Sequence, residues 1–428
     1  MSRTKETFRP REDHDVKIFT CGPSVYRRPH IGNYRTFLYE DILVRYLLYR
    51  GYEVDRVINF TDVEDKTISE AQDRRKKMKE VTDEVATHFH SETKLLKIKV
   101  PPKIPTSATS VDQAVKIIQT LVKKGYAYWY EGDVFFDPLK KKDFGKLYRL
   151  DMRTWPKKKV RFKHDTYNGN RWNRGDFILW HGYKEGDIAY WDTEIGRGRP
   201  SWNIQDPAMI TENLGNQIDI NCGGIDNIYR HHDYNIAIME SFSGKTYANY
   251  FLHGEHLIVD GKKMSKSLGN IYYPDELVAE DGVRPEHLRF FLTATKHYRK
   301  KLNFTKESFA QRCAYLDRFK ALVAQLVDGA DRRTAFAEAA KADPRVKVAH
   351  APKSSKPAAG ADSLITSVTS EFERLMDDDL SLALAFEAVH TILKALAKEN
   401  ERTPLTREQR TQLLASLKRI DSVFEVIL

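Results

Sequence analysis

Near its start the chain alternates between strand-like and helix-like segments, and this alternation constrains the fold more than any other feature. Short runs of β-branched and aromatic residues predict strands at 16–20 and 54–58. Between them the spacing of Leu38 and Ile42, four residues apart, predicts a helix over 33–49. A strand, a helix and a strand in this order form a βαβ unit with parallel strands. We therefore predict an α/β fold with a doubly wound parallel sheet of the Rossmann type.

The start of the predicted helix supplies candidate phosphate-binding residues. The first strand leads into CGPSVY and then into PHIGN, where the helix opens. A helix N-terminus offers free N–H groups and a positive dipole to an anion. Gly32 lets a nucleotide approach the backbone, while His30 and Asn33, three residues apart on one face, can donate hydrogen bonds to phosphate. We expect His30 and Asn33 to act in catalysis and Gly32 to contact ATP.

A short lysine-containing loop supplies a second candidate phosphate site. Lys263 and Lys266 lie three residues apart in KMSKS, after a predicted strand at 257–259. Two cations on a mobile loop can stabilise the charge that builds up on a triphosphate as pyrophosphate leaves. Each segment alone is typical of an ordinary turn or a surface lysine pair. Both together, in this order, resemble the two signature sequences of class I aminoacyl-tRNA synthetases.

A third segment places two adjacent glycines after a predicted strand at 218–220. Gly223 and Gly224 can let an adenosine pass close to the backbone, and Asp226 can accept hydrogen bonds from ribose hydroxyls. On spacing alone, a plain turn before the helix predicted at 229–240 explains these residues equally well. ATP binding and a plain turn therefore both remain open for this segment.

The character of the sequence changes several times, which predicts several packed units. A predicted helix at 114–124 and an aromatic, extended stretch at 126–136 interrupt the first α/β pattern, and a second one resumes near Trp202. Residues rich in Ala, Lys, Pro and Ser predict a flexible loop at 329–361. The predicted segments are the first half of a catalytic domain at 12–100, an inserted α+β domain at 101–200, a second catalytic half with the KMSKS loop at 201–272, a stem-contact region at 273–306, and a C-terminal helical bundle at 307–428.

Composition narrows the class of protein. Of the 428 residues 41% are hydrophobic, but no apolar run approaches the roughly 20 residues of a membrane helix, and no signal peptide is evident. Three cysteines in so long a chain fit a reducing compartment, so we expect a cytoplasmic protein without membrane contact. The net charge of +10 is concentrated in clusters that can attract nucleic acid, although most such runs are only solvated. The clusters lie at 74–77, 140–142, 157–159 and 299–301.

Beyond the two signatures, the chain resembles cysteinyl-tRNA synthetase over nearly its whole length. The matching stretches are CGPSVY (21–26), PHIGN (29–33), NFTDVEDK (59–66), PPKIPTSAT (101–109), KKGYAYWYEGDVFFD (123–137), FGKL (144–147), DFILW (176–180), GRPSWNIQDPAM (198–209), GGIDNIYRHH (223–232) and HGEHLIVDGKKMSKSLGN (253–270). The resemblance implies ATP with Mg²⁺, cysteine or an analogue as the amino acid, and the tRNA acceptor stem as a partner. It also assigns His256 to ATP and places Thr61 and Trp202 in the amino-acid pocket.

The resemblance also implies a metal site, and here the chain departs from the family. The family holds Zn²⁺ with two cysteines, a histidine and a glutamate, and the zinc binds the substrate thiol. The matching positions are Cys21, Asp206, His231 and Asn235. Cys21, Asp206 and His231 can ligate zinc with substrate sulfur as the fourth ligand, whereas Asn235 is a poor ligand. Alternatively the site binds no metal, and Asp206 and Asn235 hydrogen-bond a polar side chain or an amine. Both alternatives stay open, with Cys21 and His231 in the amino-acid pocket.

Three functions are compatible with these residues. The first is activation of cysteine as an aminoacyl-adenylate and its transfer to the 3′ end of tRNA. The second is a tRNA-independent ligase that passes the adenylate to a small amine, like the cysteine ligase of mycothiol synthesis, since no match to an anticodon-reading domain follows the helices. The third is a non-catalytic RNA-binding paralogue, against which the retained His30, Gly32, Lys263 and Lys266 argue. The basic, aromatic insertion favours the first.

Overall fold

The computed structural model describes residues 4–151, 153, 175–341 and 360–428, and for Lys266 the backbone only. The helices in these ranges are α1 (Ile31–Tyr49), α2 (Asp65–Asp73), α3 (Met78–Leu95), α4 (Val111–Lys123), α5 (Trp202–Asn213), α6 (Asp233–Ser243), α7 (Pro274–Val278), α8 (Pro285–Ala294), α9 (Lys306–Val327), α10 (Arg332–Lys341), α11 (Ala361–Asp377), α12 (Leu382–Arg402) and α13 (Arg407–Phe424). Among these described helices, none is long and apolar enough to cross a membrane.

The strands in the described ranges form three sheets. They are β1 (Asp15–Thr20), β2 (Glu53–Ile58), β3 (Ala127–Tyr130), β4 (Asp133–Phe136), β5 (Phe177–Gly182), β6 (Trp191–Thr193), β7 (Gly196–Pro200), β8 (Ile218–Gly224), β9 (Ala248–Gly254), β10 (Leu257–Val259), β11 (Lys262–Lys263) and β12 (Leu302–Phe304). The strand orders are β2-β1-β8-β9, β3-β4-β5-β7-β6 and β11-β10-β12.

The first sheet joins parts of the chain that are far apart in sequence. Its central strands β1 and β8 are parallel, with Ile18 opposite Ile220 and Thr20 opposite Cys222. All the strands of the second sheet lie between them in the chain, at residues 127–200. The predicted Rossmann-type α/β fold, split by an α+β insertion and followed by helices, is confirmed. The predicted domain boundaries stay a prediction.

The chain divides into two compact units. The first unit comprises Met1–Arg28, Asp55–His90 and Val100–His253, and the second comprises Pro29–Val54, Ser91–Lys99 and Gly254–Leu428. In the first unit, one apolar cluster combines residues of α4, α5 and α6 with β3, β4 and β5. A second cluster there combines residues of β1, β8 and α6. These two cores hold the strand ends and helices that carry the candidate amino-acid pocket.

The second unit is built on helix α1. Fifteen of its nineteen residues are buried, and Ile42, Tyr46 and Tyr49 join a large apolar cluster with residues of α8, α9, α11, α12 and α13. Burial on so many sides means that any charge on α1 must be paired inside the protein.

A buried ion-pair hub meets this requirement. Asp41 is fully buried, and its Oδ2 accepts from Arg45 Nε at 2.8 Å and from Arg289 Nη2 at 2.7 Å. Arg289 also donates from Nε to the carbonyl of Phe424 at 2.8 Å and from Nη1 to that of Leu96 at 2.8 Å. One carboxylate thus links α1 to α8, to the C-terminal end of α13 and to the segment after α3.

Two predicted elements were wrong at one end. The helix predicted at 229–240 is interrupted at its start: Ile228–His232 form a π-type turn in which Tyr229 is non-helical (φ −132°, ψ 122°), and the α-helix begins at Asp233. The loop predicted at 329–361 contains α10, because alanine favours helix and Asp331 Oδ1 accepts from the backbone N–H groups of Arg333 and Thr334. Residues 342–359 of that loop lie outside the described part of the chain.

Removing the charge of Asp41 should destabilise the protein strongly. Asp41→Asn leaves the buried guanidinium of Arg289 without its carboxylate, which costs about 3–5 kcal/mol. Urea unfolding followed by circular dichroism at 222 nm checks this. Asp83→Asn is the matched control, because Asp83 forms an exposed pair with Lys79 at 2.6 Å and such pairs contribute about 0.2–1 kcal/mol. Equal losses for both variants would contradict the importance of the hub.

The same pair should give a defined pH dependence. Burial raises the pKa of Asp41, but Arg289 and Arg45 outweigh it and hold the pKa below its ordinary value. Since the folded-state pKa is the lower one, the stabilisation is present above the unfolded-state pKa, about 3.9, and is lost as the pH falls through the folded-state value. The stability difference between wild type and Asp41→Asn should therefore shrink below about pH 4. A difference that grows on acidification would contradict the assignment.

Candidate functional site

The candidate amino-acid pocket lies in the first unit, where β1 ends. The backbone N–H of Cys21 bonds to the carbonyl of Cys222 in β8 at 3.4 Å. A Cβ on Gly22 would lie 1.8 Å from the carbonyl oxygen of Asn59, so only glycine lets these two segments approach. Asn59 Oδ1 in turn accepts from the Gly22 N–H at 2.9 Å. The chain after β1 is thereby fixed against the segment after β2.

A single buried carboxylate organises the pocket. Asp206 on α5 is 2% exposed. Its Oδ1 accepts from Asn59 Nδ2 at 3.0 Å, and its Oδ2 lies 2.7 Å from His231 Nε2. The same Oδ2 accepts from Cys21 Sγ at 3.4 Å and from Asn235 Nδ2 at 3.4 Å. The structure therefore brings together Cys21, Asp206, His231 and Asn235, the four residues at the family's zinc-ligand positions.

The remaining predicted pocket residues lie beside this carboxylate. The indole of Trp202 stacks on the imidazole of His231, with ring centroids 4.0 Å apart and an interplanar angle of 13°. Thr61 pairs through its backbone with the segment at Ser24, and the N–H of Val25 donates to the Thr61 carbonyl at 3.0 Å. Trp202 is 36% exposed, whereas His231 is 3% exposed. Trp202 and the half-buried Cys21 thus form the accessible part of the pocket.

A chain of buried polar groups behind the pocket was not predicted from the sequence. Tyr247 donates from its hydroxyl to Asn221 Oδ1 at 2.7 Å, and Asn221 Nδ2 lies 3.2 Å from His232 Nδ1. The same Nδ1 lies 2.8 Å from His253 Nε2. Burial, with contributions from His253 and His231, lowers the pKa of His232 well below its ordinary value, and burial lowers the pKa of His253 to about 4. Both are therefore neutral near pH 7. The two adjacent histidines at the end of GGIDNIYRHH are the sequence feature that could have indicated these buried polar groups.

Whether these residues suit a metal ion depends on where the protons lie. Cys21 Sγ, His231 Nε2 and His232 Nε2 lie within 4.8 Å of one another. A separation of 2.7 Å between His231 Nε2 and Asp206 Oδ2 requires a proton on the line between them. Two ligands of one tetrahedral zinc ion would lie about 3.3 Å apart, so His231 and Asp206, as they are placed here, do not fit a zinc ion.

The candidate adenosine-binding residues follow β8 in the same unit. A Cβ on Gly223 would lie 2.9 Å from the imidazole of His232, and a Cβ on Gly224 would lie 2.6 Å from Asp226 Oδ1. The buried His232 ring therefore restricts position 223, whereas the exposed side chain of Asp226 could move aside at position 224. Asp226 is exposed in a single turn of 3₁₀ helix, Ile225–Asn227. Binding of a ribose by Asp226 stays a prediction.

The candidate phosphate-binding residues lie in the second unit, at the start of α1. His30 is the N-cap: its Nδ1 accepts from the N–H groups of Gly32 at 3.2 Å and of Asn33 at 3.4 Å. Asn33 Oδ1 accepts from the His30 N–H at 3.0 Å, which completes a capping box. Burial lowers the pKa of His30, so the ring is neutral near pH 7 and carries its proton on Nε2. His30 Nε2–H and Asn33 Nδ2 are therefore left as donors for an anion.

Gly32 serves a contact that the sequence did not predict. A Cβ at this position would lie 2.5 Å from Cε of Met264 and 3.0 Å from Cε1 of His30. Met264 is the central methionine of KMSKS and is buried. The glycine thus makes room for the lysine loop against the start of α1.

The lysine loop is held by one asparagine. Asn270 Oδ1 accepts from the Ser265 N–H at 2.9 Å, and Asn270 Nδ2 donates to the Lys263 carbonyl at 3.2 Å. Lys263 lies in β11, opposite Ile258, and is exposed. The side chain of Lys266 lies outside what the structure describes.

Arg35 fixes the segment that carries His256. Its guanidinium, 3% exposed, donates to the carbonyls of Glu255 at 2.6 Å and His256 at 2.9 Å, and also to those of His297 and Lys300. Burial lowers the pKa of Arg35 to about 10, which leaves it charged. His256 itself is exposed and lies 2.9 Å through Nδ1 from Glu255.

The basic clusters are partly neutralised. Arg74 and Lys76 pair with Glu84, and Arg299 pairs with Asp379. In the cluster at 140–142, Lys141 pairs with Glu240 at 3.0 Å. The cluster at 157–159 lies outside the described residues. The described clusters are thus weaker attractors of nucleic acid than their sequence alone indicates.

Comparison with known proteins agrees with this arrangement. The family model described as tRNA synthetases class I (C) catalytic domain matches residues 7–314. The cysteine–tRNA ligase of Brachyspira hyodysenteriae is 39% identical over 330 residues, which are 77% of this chain and 69% of that protein. The enzyme of the same name from Chlamydia pneumoniae is 34% identical over 429 residues, covering 100% of this chain and 85% of its own.

The fold has solved counterparts. Mycobacterium tuberculosis methionyl-tRNA synthetase in complex with methionyl-adenylate superposes with a TM-score of 0.66 at 14% identity, covering 96% of this chain and 90% of the other. The split Rossmann-type fold and the two signature segments define a class I aminoacyl-tRNA synthetase, a class that uses ATP with Mg²⁺. Within that class, the chain belongs to the cysteinyl-tRNA synthetase family.

The capping role of His30 can be separated from its role as a donor. His30→Ala removes the cap of α1 and should cost about 1 kcal/mol. His30→Asn keeps an N-cap acceptor of a favoured type, so its stability should stay close to wild type, although neither variant retains Nε2. Urea unfolding of both variants checks this. An asparagine variant as unstable as the alanine variant would contradict the capping role.

Proposed function

We propose that the chain activates cysteine with ATP as cysteinyl-adenylate and transfers the cysteinyl group to the 3′ end of tRNA. The observation that carries the adenylation step is the capping box of α1. It occupies His30 Nδ1 and Asn33 Oδ1 and leaves two N–H donors, His30 Nε2 and Asn33 Nδ2, for a phosphate. The names of the relatives support cysteine and tRNA as substrates.

In the first step a carboxylate oxygen of the amino acid attacks the α-phosphorus of ATP. The bond from that phosphorus to the bridging oxygen breaks, and pyrophosphate leaves with the electron pair. Donors fixed before the reaction stabilise this developing charge without reorganising. We assign His30 and Asn33 to phosphate oxygens, and Lys263 and Lys266 to the charge on the departing pyrophosphate. Bound Mg²⁺ neutralises further phosphate charge.

The remaining predicted residues have supporting roles in the proposal. Gly223, Gly224 and Asp226 bind the adenosine, with His256 as a further ATP contact. The amino acid is held by the pocket residues Cys21, Thr61, Trp202 and His231. In the second step a terminal ribose hydroxyl of tRNA attacks the carbonyl carbon, and AMP leaves. Among the basic residues, the exposed Lys300 and Lys301 are the proposed contacts to the acceptor stem.

Two assays on the full chain test the two steps separately. Cysteine-dependent exchange of labelled pyrophosphate into ATP reports the adenylate, and charging of total tRNA with labelled cysteine reports the transfer. We expect both. Pyrophosphate exchange without charging of tRNA would contradict the transfer step. Absence of exchange with every amino acid would contradict the adenylation step itself.

Substitution of the exposed lysine of KMSKS should affect the rate more than the binding of ATP. Lys263→Ala should lower kcat for pyrophosphate exchange by about 10²–10³-fold with a smaller change in KM, because the contact strengthens in the transition state. Lys266→Ala should behave alike. Lys262→Ala is the matched control: Lys262 is also exposed in β11, but neighbouring strand residues point to opposite faces. Equal losses for Lys262→Ala and Lys263→Ala would contradict the assignment.

A further inference from the structure

We infer that the pocket around Asp206 recognises the amino-acid side chain through hydrogen bonds without a metal ion, and accepts a small side chain ending in a hydroxyl as well as a thiol. The inference deepens the proposed function and rests on it, because it concerns the amino acid that is activated.

The carboxylate of Asp206 is already satisfied by protein donors. Oδ1 accepts from Asn59 at 3.0 Å. Oδ2 receives His231 at 2.7 Å and, at 3.4 Å each, the Cys21 thiol and the Asn235 amide. A carboxylate has about four lone-pair sites, two on each oxygen, so Oδ2 is crowded by three donors while Oδ1 accepts from Asn59 alone. To bind a metal ion, Asp206 would have to lose some of these hydrogen bonds, and such a loss is costly in a buried site.

The distance between Asp206 and His231 is that of a hydrogen bond and not of two ligands on one ion. Zinc–nitrogen and zinc–oxygen bonds of about 2.0–2.1 Å at the tetrahedral angle put the two ligand atoms about 3.3 Å apart. Here Oδ2 and Nε2 are 2.7 Å apart. Binding of zinc would require both the loss of the shared proton and a wider separation of two side chains that are 2% and 3% exposed.

The surroundings of Asn235 point the same way. Asn235 is fully buried and directs Nδ2, a donor, at Asp206 Oδ2 at 3.4 Å. Its Oδ1 has no hydrogen-bond partner among the described residues. In this orientation the amide stabilises the Asp206 carboxylate, and a neutral amide is a poorer zinc ligand than a carboxylate.

The same geometry sets the class of side chain that the pocket accepts. Of the predicted pocket residues, Cys21 is half-buried and Trp202 is 36% exposed, and Cys21 Sγ lies 3.4 Å from Asp206 Oδ2. A thiol and a hydroxyl are of similar size, and each carries one donor. A zinc ion prefers sulfur because sulfur is soft, but a network of hydrogen bonds has no such preference. Discrimination then rests on packing, so we expect cysteine to be preferred over serine by no more than about 200-fold in kcat/KM.

Metal analysis and exchange assays on the purified full chain test the inference together. The expected zinc content by plasma mass spectrometry is below about 0.1 per chain, and a chelator should change cysteine-dependent exchange by less than about two-fold. About one zinc per chain with exchange lost on chelation would overturn the inference. Rejection of serine by more than about 10⁴-fold would overturn it as well. Absence of exchange with every amino acid would instead remove the proposed function, while the zinc content would still decide whether a metal is bound.

Two controls make the metal result decisive. The double variant Asp206→Cys with Asn235→Glu restores four ligands of the types that zinc prefers and should bind about one zinc per chain, which shows that the preparation does not strip metal. Alkylation by iodoacetamide, followed by mass spectrometry, provides a readout that does not depend on activity. The rate at Cys21 should be unchanged by chelator, as it should be at Cys313, a half-buried thiol whose pKa burial raises to about 11. A chelator that raised the alkylation rate at Cys21 but not at Cys313 would contradict the inference.

Discussion

The second unit depends on the buried carboxylate of Asp41. This carboxylate accepts hydrogen bonds from both Arg45 and Arg289. Helix α1 is buried along most of its length, so its charges stabilise the unit only while they are paired. The hub fixes α1 against α8 and the end of α13. Because α1 begins at the His30 cap, the same pairing determines where the two phosphate donors are held.

The first unit also places a buried carboxylate at its centre, but with a different result. Asp41 is neutralised by two guanidinium groups, whereas Asp206 is surrounded by a thiol, an imidazole and two amides. Its hydrogen bonds hold the carboxylate in place beside Cys21. The two carboxylates show how one side chain either joins helices or shapes a site, according to the donors around it.

The sequence predicted the parts that depend on local pattern. The helix expected at 33–49 is Ile31–Tyr49, and the strand expected at 257–259 is Leu257–Val259. The predictions were wrong where contacts between residues far apart in the sequence determine the backbone. The spacing from Tyr229 onwards is helical, but Tyr229 itself is non-helical and a π-type turn, Ile228–His232, precedes the α-helix. No bounds were predicted for α13, although its start carries a sequence signal, since Thr406 and Gln409 form a capping box. The direction of the Asn235 amide has no sequence signal, so the choice between zinc and hydrogen bonds needed the structure.

The central claim is that this chain forms an aminoacyl-adenylate in a hydrogen-bonding pocket. The most direct measurement is a single-turnover reaction of excess protein with ATP and an equimolar mixture of the standard amino acids, quenched in acid and analysed by mass spectrometry. We predict cysteinyl-adenylate as the main product, seryl-adenylate as the second, and the same pattern with chelator present. An adenylate of another amino acid as the main product, or no adenylate at all, would contradict the account.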